Sequence, residues 1–400
     1  MRIIGSAILR AATMLIGVGL VSTVPNLSWT RNGASYHLVD LGAPSPSVAT
    51  AVNDRGQIVG RAFVSDLKDP EGRLIAKVGH AFEWSAGHFK TLGASPVQAT
   101  PDYAISVAYS INQRGVVVGA SGSFLPVSLS GLVFTDVFMY DNGALIEVPL
   151  FDVEEAMKPF SAGAPEQAFG INAHDTVVGS GSYRGFVYKR GKSYEIPPLS
   201  DLEEGNGTVG VAVNDSDVIV GATTAGIPSD RPRIHAFVWN DPGSSRMTDL
   251  GTLVGYQNSI AMAINSSGEI VGYASQGTTD RGIVGGKWIG NRDPDTLEFY
   301  LLPATGHAVA WRNGRTIDLG ALPGSPQSAA YGVNDAGVIV GTSGGRAVAW
   351  IRNRIVDLNE TVEAPSGWRL VEARGINNRG WIVGFGLLGG NQRAFLLVPN

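Results

Sequence analysis

One motif recurs seven times along this chain and narrows what the chain can fold into. Asn-x-x-Gly-x-aliphatic-Val-Gly reads VNDRGQIVG from Val52, INQRGVVVG from Ile111, INAHDTVVG from Ile171 and VNDSDVIVG from Val213. It continues as INSSGEIVG from Ile264, VNDAGVIVG from Val333 and INNRGWIVG from Ile376. The asparagines stand at 53, 112, 172, 214, 265, 334 and 377, a mean spacing of 54 residues. Self-similarity of this kind marks a repeat architecture, in which one supersecondary unit is copied and stacked.

Each copy has a physical reading. Runs such as Ile58-Val59 and Val116-Val117-Val118 are β-branched, which favours a pleated strand over a helix. Between two such strands lies N-x-x-G, where asparagine can bond its own backbone two residues on and glycine supplies the left-handed conformation of a tight loop. Two copies replace that glycine by Asp175 and Asp217, and aspartate is one of few residues that also tolerate this conformation. The asparagines are therefore expected to build turns rather than hold ligands. The glycine that ends each copy, as at Gly60, Gly119 and Gly341, implies a bulge or a close backbone approach.

A second hairpin follows each first one. Its leading strand reads HAFEW from His80, DVFMY from Asp136, GFVY from Gly185, HAFVW from His235, HAVAW from His307, RAVAW from Arg346 and RAFLL from Arg393. The returning strand carries Asp-Leu-Gly or a relic of it, as in MTDLG (Met247), TIDLG (Thr316) and IVDLN (Ile355). The unit is thus four antiparallel strands, a to d, with tight a–b and c–d turns.

The pairing of IN-x-x-G-x-IVG with HAF-x-W resembles the HAF-repeat proteins, a group of predicted extracellular bacterial repeat proteins, over roughly residues 35–399. The resemblance implies an exported repeat protein and carries no chemistry. Histidine is absent from the motif at Asp136, Arg346 and Arg393, so it cannot be a universal ligand.

Four-stranded repeats of this length predict propeller blades. A d-type strand, Tyr36 to Gly42, precedes any a, b or c, while the last repeat ends on c at Arg393 to Pro399. The expected fold is all-β: a seven-bladed β-propeller of four-stranded antiparallel blades, closed by the N-terminal strand completing the last blade. One stretch is extra. GGKWIG from Gly285 and LEFYLL from Leu297 read as an additional hairpin inserted at about 273–305, or as part of an eighth blade.

Residues 1–28 read as a signal peptide or N-terminal anchor: Arg2 and Arg10 precede the mostly apolar run Ala11 to Val24, which is short for a membrane span. Export would place the protein outside the cell or in the periplasm. Composition closes other classes. The chain has no cysteine, which removes disulfides, thiolate zinc sites and cysteine nucleophiles. Its net charge of −5 offers no footprint for nucleic acid. Glycine, 53 of 400 residues, is in excess, and the repeat accounts for much of it.

In a four-strand meander the a–b and c–d turns share one face, and the b–c and d–a connections share the other. The first set is uniform; the second varies from Ser180–Tyr183 to the long Arg61–Gly79, Ala120–Thr135 and Tyr273–Gly306. Variable connections on a rigid scaffold are where binding usually lies, so a protein or glycan is expected on that face. Candidate features there are an apolar stretch (Phe124 to Val127, Leu132 to Phe134), acids at Asp152, Glu154, Glu155 and Asp201, Glu203, Glu204, and the aromatics Trp288, Tyr300 and Trp368. Each has a structural reading as packing or solvated charge.

No G-x-S-x-G elbow or H-E-x-x-H motif is present, and the six histidines (37, 80, 88, 174, 235, 307) lack metal spacing. Three of them recur at the start of strand c and read as a repeated hydrogen bond within the blade. No catalytic, cofactor or metal residue is assigned and no ligand-binding residue is identified. The expectation is a monomeric, non-catalytic binding or scaffold module, with no membrane contact beyond a possible anchor. The alternative is a carbohydrate-active enzyme using loop carboxylates near the axis.

Overall fold

The computed structural model describes residues 36–68, 71–93, 104–124, 132–150, 166–181, 184–199, 207–225, 233–240, 247–276, 306–362 and 367–400, plus four short strands between residues 283 and 300. The N-terminal segment and both acidic clusters named above lie outside these residues.

β1 (Tyr36–Asp40) opens the described chain. Blade one follows as β2 (Ser47–Val52), β3 (Ile58–Lys68), β4 (Leu74–Ser85) and β5 (His88–Gly93). Blade two is β6 (Ala104–Ile111), β7 (Val117–Phe124), β8 (Leu132–Asp141) and β9 (Ala144–Glu147). Blade three is β10 (Gln167–Ile171), β11 (Val177–Gly181), β12 (Arg184–Lys189) and β13 (Lys192–Ile196). Blade four is β14 (Thr208–Val213), β15 (Ile219–Ala225), β16 (Arg233–Trp239) and β17 (Thr248–Gly251).

Blade five begins with β18 (Asn258–Ile264) and β19 (Ile270–Ser275). Four short strands intervene: β20 (Ile283–Val284), β21 (Lys287–Trp288), β22 (Asn291–Arg292) and β23 (Phe299–Tyr300). The blade resumes with β24 (Gly306–Arg312) and β25 (Arg315–Asp318). Blade six is β26 (Ser328–Val333), β27 (Ile339–Ser343), β28 (Arg346–Ile351) and β29 (Arg354–Asp357). Blade seven is β30 (Trp368–Ile376), β31 (Ile382–Leu388) and β32 (Asn391–Pro399), with β1 as its outer strand in the register Tyr36↔Pro399 to Asp40↔Phe395.

The molecule is a seven-bladed β-propeller. The first strands of successive blades touch in a closed cycle, β30 against β2 included, so they surround the axis and each blade fans outward from them. HAVAW in β24 pairs directly with β19, so the extra segment is an insertion between the second and third strands of blade five. It differs from the single hairpin that its sequence suggests. β20 pairs with β21 and β22 with β23, so Lys287-Trp288 turns back on Ile283-Val284 instead of pairing with 297–302.

The I-V-G glycines explain how the blades bend. Every first strand carries a register shift opposite its glycine, for example between Ala49 and Ala51 in blade one and between Ala330 and Gly332 in blade six. At Gly60, Gly119 and Gly341 an added Cβ would lie 2.0 Å from a carbonyl oxygen of that bulged strand. Both readings of the glycine, bulge and close approach, therefore hold at once. In blades one to three the same missing Cβ also makes room for the third-strand phenylalanine, Phe82, Phe138 or Phe186, whose ring would lie within 2.9 Å. The two halves of the repeat are complementary in shape.

The core is a series of layers between neighbouring blades rather than one central mass. Val59 and Ala81 of blade one pack with Ala108, Ile111, Val117 and Phe138 of blade two, and Val271 and Ala308 of blade five pack with Ile339, Val348 and Trp350 of blade six.

Candidate functional site

The seven asparagines are buried, and each does two things. Its Oδ1 accepts from backbone N–H groups two and four residues on, as Asn53 does from Arg55 and Gln57 at 3.1 and 3.0 Å. Its Nδ2 donates to the backbone oxygen of the next blade's asparagine: Asn53 to Asn112, Asn112 to Asn172, Asn172 to Asn214, each at 3.0 Å. The cycle runs on through Asn214, Asn265 and Asn334 to Asn377, which donates back to Asn53 at 2.9 Å. The glycines of these turns sit at positive φ, and so do their replacements, Asp175 at 59° and Asp217 at 58°. The aspartates add a bond that glycine cannot make: each accepts from the preceding blade's asparagine, Asp175 from Asn112 and Asp217 from Asn172.

A second, incomplete ring stands on the first. After Asn53, Asn172, Asn265, Asn334 and Asn377 the next N–H is capped by the corresponding side chain of the following blade, as Ala173 by Asp215 and Asn378 by Asp54, both at 2.8 Å. Together the two rings line a cavity of about 200 Å³ where all seven a–b turns meet on the axis. Its walls are the asparagines and the residues after them; its floor is the aliphatic residue before each. Among the described residues three carboxylates reach its rim, Asp54, Asp215 and Asp335, each already accepting a backbone N–H from the preceding blade. Among the described residues no group of three or more His, Asp or Glu side chains could hold a metal ion.

The recurrent strand-c residue meets the recurrent strand-d acid. His235 Nδ1 lies 2.8 Å from Asp249, His307 Nδ1 3.0 Å from Asp318, and Arg346 2.8 Å from Asp357. Arg393 and Asp40 make the same pair in blade seven, and Arg184 and Glu195 in blade three. Where blade one has Thr91 in place of the acid, His80 bonds the carbonyl of Ala104 instead, at 3.0 Å. These are cross-strand clasps, and the same aspartates also accept the N–H of the following glycine, Gly251 and Gly320 both at 2.7 Å.

A further clasp lies outside the two motifs. A serine six residues before the asparagine, at 47, 106, 259 and 328, accepts the N–H of the preceding blade's third-strand alanine; Ser259 and Ser328 then donate to the Asp-Leu-Gly glycine carbonyl at 2.7 Å. Its fixed offset from the asparagine is the signal in the sequence that marks it.

Perturbed titrations do not converge. Burial would raise Asp217, yet hydrogen bonds from Lys189, Thr176 and Asn172 hold its carboxyl below the usual range. Asp249 is likewise lowered, burial being outweighed by the bonds from His235 and Gly251. Burial holds the His80 imidazole below its ordinary value against the opposing bond to Ala104, with Arg61 adding to the fall. Asp217 stands in the a–b turn of blade four, Asp249 on its fourth strand and His80 on blade one, and each serves a different clasp.

On the opposite face, two of the long connections are strand. β3 and β4 stay paired out to Lys68↔Leu74, and β7 and β8 out to Phe124↔Leu132, so blades one and two project β-hairpins where the sequence suggests free loops. Blades three and six stop at Gly181↔Arg184 and Ser343↔Arg346. Val64 and Leu74 on the first hairpin are 44% and 54% exposed, and Val254, in the link between blades four and five, is fully exposed. Residues 125–131 of the apolar stretch lie outside the described residues, and of Trp288 and Tyr300 only the backbone is described. Trp368 packs against the core between blades six and seven.

A family described as "Protein of unknown function (DUF3466)" matches residues 42–255, just over half of the chain. No curated protein sequence matches. Solved structures with a similar trace include the β-propeller domain of the Trilobed protease from Pyrococcus furiosus, at 10% identity and TM-score 0.41 over 88% of this chain and 94% of that one. A gluconolactonase from Xanthomonas campestris matches at 12% identity and TM-score 0.36, over 90% of this chain and 99% of that one. A puromycin-hydrolyzing peptidase of Mycobacterium tuberculosis matches at 10% and 0.36, over 89% of this chain and 61% of that one.

Proposed function

This chain belongs to the family described as protein of unknown function (DUF3466), and since membership carries no activity we propose, from the molecule's own features, an exported binding or scaffold module that engages a protein or glycan through its b–c and d–a face. The observation that supports this reading is the contrast between the two ends of the blades. One end is occupied by repeated turns whose polar groups bond each other. The other end differs from blade to blade, carries the paired extensions of blades one and two, and exposes Val64, Leu74 and Val254. A uniform rigid frame with one individualised surface is how recognition proteins place their contacts. The HAF-repeat resemblance and the apolar segment after Arg10 favour export.

Blade six supplies the test. It joins its second and third strands through Gly344-Gly345 alone. Replacing residues 63–79 and 122–135 by Gly-Gly gives blades one and two the same short end while leaving their paired cores. Capture of a defined glycan or surface component by residues 29–400 should be lost in the double graft while the melting transition survives. Capture that persists in the double graft sinks the face assignment. Export is tested separately by fusing residues 1–28 to a phosphatase that is active only outside the cytoplasm; an inactive, expressed fusion rejects it.

A further inference from the structure

The c–d turns of blades five and six hold more arginines than the ion pairs among the described residues use. Arg312 closes β24 directly opposite Arg315, which opens β25, and Arg354 opens β29 one blade away. Like charges facing each other across an antiparallel pair destabilise it. Between β28 and β29 the turn is Arg352-Asn353, with φ of 48° and 62°. The equivalent turns of blades two and five are Asn142-Gly143 and Asn313-Gly314, residues that enter the left-handed region at less cost. Arg312 is satisfied by Glu269, which leaves Arg315 opposite it, and Arg352 in a left-handed position that asparagine fills at less cost in two other blades, without a partner among the described residues that explains them.

The two turns form one patch. Arg312 donates from Nε to Glu269 at 2.7 Å and from a terminal nitrogen to Asn353 Oδ1 at 3.1 Å, so it ties the blade-five turn to the blade-six turn. The Glu269 carboxylate is engaged by Arg312. Arg315, Arg352 and Arg354 are exposed and have no carboxylate partner among the described residues. Three guanidinium groups without an ion pair thus stand together on a chain whose net charge is −5.

From this we propose that the c–d turns of blades five and six bind an acidic polysaccharide, a linear polymer whose carboxylate or sulfate groups pair with Arg315, Arg352 and Arg354. The guanidinium plane presents donors in a fork that matches such oxyanions two bonds at a time, which an ammonium does not. A polymer strand is favoured over a flat anionic surface because the cations are local. The c–d turns of blade one (Ala86-Gly87) and blade two (Asn142-Gly143) carry no Lys or Arg, and Asp141 stands beside the second. A planar membrane would meet those neutral tips as well; a strand need cross only two adjacent ones. Blade three has a separate basic tip, where Arg190 sits at φ 54° and Lys192 faces Lys189, but Lys189 is held by Asp217 and no second basic tip adjoins it among the described residues. The site is on the face opposite to the one proposed above and stands or falls independently of it.

The test measures binding of residues 29–400 to polygalacturonate and to dextran sulfate, with neutral dextran, phosphatidylglycerol vesicles and duplex DNA alongside, at low and at physiological salt. Wild-type protein should bind one or both acidic polysaccharides at low salt and release with added salt; which of them binds identifies the acid group. The triple variant Arg315→Gln, Arg352→Asn, Arg354→Gln should bind at least about tenfold more weakly, since charge-assisted pairs carry the contact. It should melt no lower than wild type, because asparagine suits the left-handed turn. A control triple on the opposite face, Arg73→Gln, Arg233→Gln, Arg369→Gln, changes net charge equally and reads both a general charge effect and any contact made by that face, so it should weaken binding by a smaller factor than the c–d triple does. A double at the blade-three tip, Arg190→Gln with Lys192→Gln, should also bind like wild type. The proposal is overturned by absence of binding to either acidic polymer, by equal weakening in both triples, by a loss that follows the blade-three double instead, or by binding confined to vesicles or DNA.

Discussion

Asn377 Nδ2 donates to the backbone oxygen of Asn53 at 2.9 Å, joining residues 324 positions apart and closing a cycle of seven equivalent bonds. An amide suits this place because it can accept from its own turn and donate to the next blade together. Each asparagine therefore shapes one hairpin and holds two blades in register.

Asn334→Ala is expected to lose about 3 kcal/mol, the sum of two turn bonds and one inter-blade bond at roughly 1 kcal/mol each. The bonds removed run from Ala336 and Val338 and to Asn377. Urea unfolding at neutral pH reads the change; a loss below about 0.5 kcal/mol would show that water replaces the amide freely.

Gly341→Ala and Gly320→Asn should behave differently although both replace repeat glycines. A Cβ at Gly341 would sit 2.0 Å from the Ala329 oxygen, so blade six must separate or fail to fold. Gly320 has φ of 71° with open space around it, and asparagine there should cost about 1 kcal/mol or less. Soluble yield and thermal melting of the two variants distinguish a steric from a conformational requirement.

Asp249→Asn tests the strand-c to strand-d clasp by its pH dependence. The Asp249 carboxyl is lowered in the fold: burial alone would raise it, but the bond and charge of His235 and the Gly251 N–H prevail. A depressed acid binds fewer protons folded than unfolded just below its ordinary pKa. Its contribution is therefore complete above about pH 4 and lost as pH falls through the folded value. The melting gap between wild type and Asp249→Asn should be widest at neutral pH and should narrow below about pH 4. A gap independent of pH would assign the effect to shape rather than charge.

Deleting residues 1–41 removes β1 and leaves β32 as an open edge opposite β31. Buried Tyr36 and Leu38 go with it. The expected result is a melting temperature lower by roughly 10 °C or more and concentration-dependent association, because an unpaired edge recruits other strands. Light scattering that shows a stable monomer with an unchanged melt would mean that closure adds little.

Much of this architecture is legible in the chain because its signals are local. Asparagine and glycine at fixed offsets announce turns, β-branched pairs announce strands, and Asp175 and Asp217 mark the left-handed position by replacing its glycine. The His235–Asp249 clasp is foreshadowed by two motifs of similar separation. Other features have no such cue. The long stretch Arg61 to Gly79 lacks clear alternation, so only the pairing with its partner strand reveals a hairpin. The segment 283–300 suggests one hairpin by composition but holds two short pairings, because register is decided by neighbours.

Taken alone, the sequence determined the repeat unit, its turns, its number and the all-β class, since these follow from conformational preferences within a few residues. The tertiary structure decided everything that depends on which surfaces meet. It carries each asparagine amide to a carbonyl tens of residues away, brings the arginines of two separate turns into one patch, and shows that the I-V-G glycines yield space to a neighbouring carbonyl and ring. Such contacts form only when blades pack around an axis, and no offset along a chain encodes the distance across it.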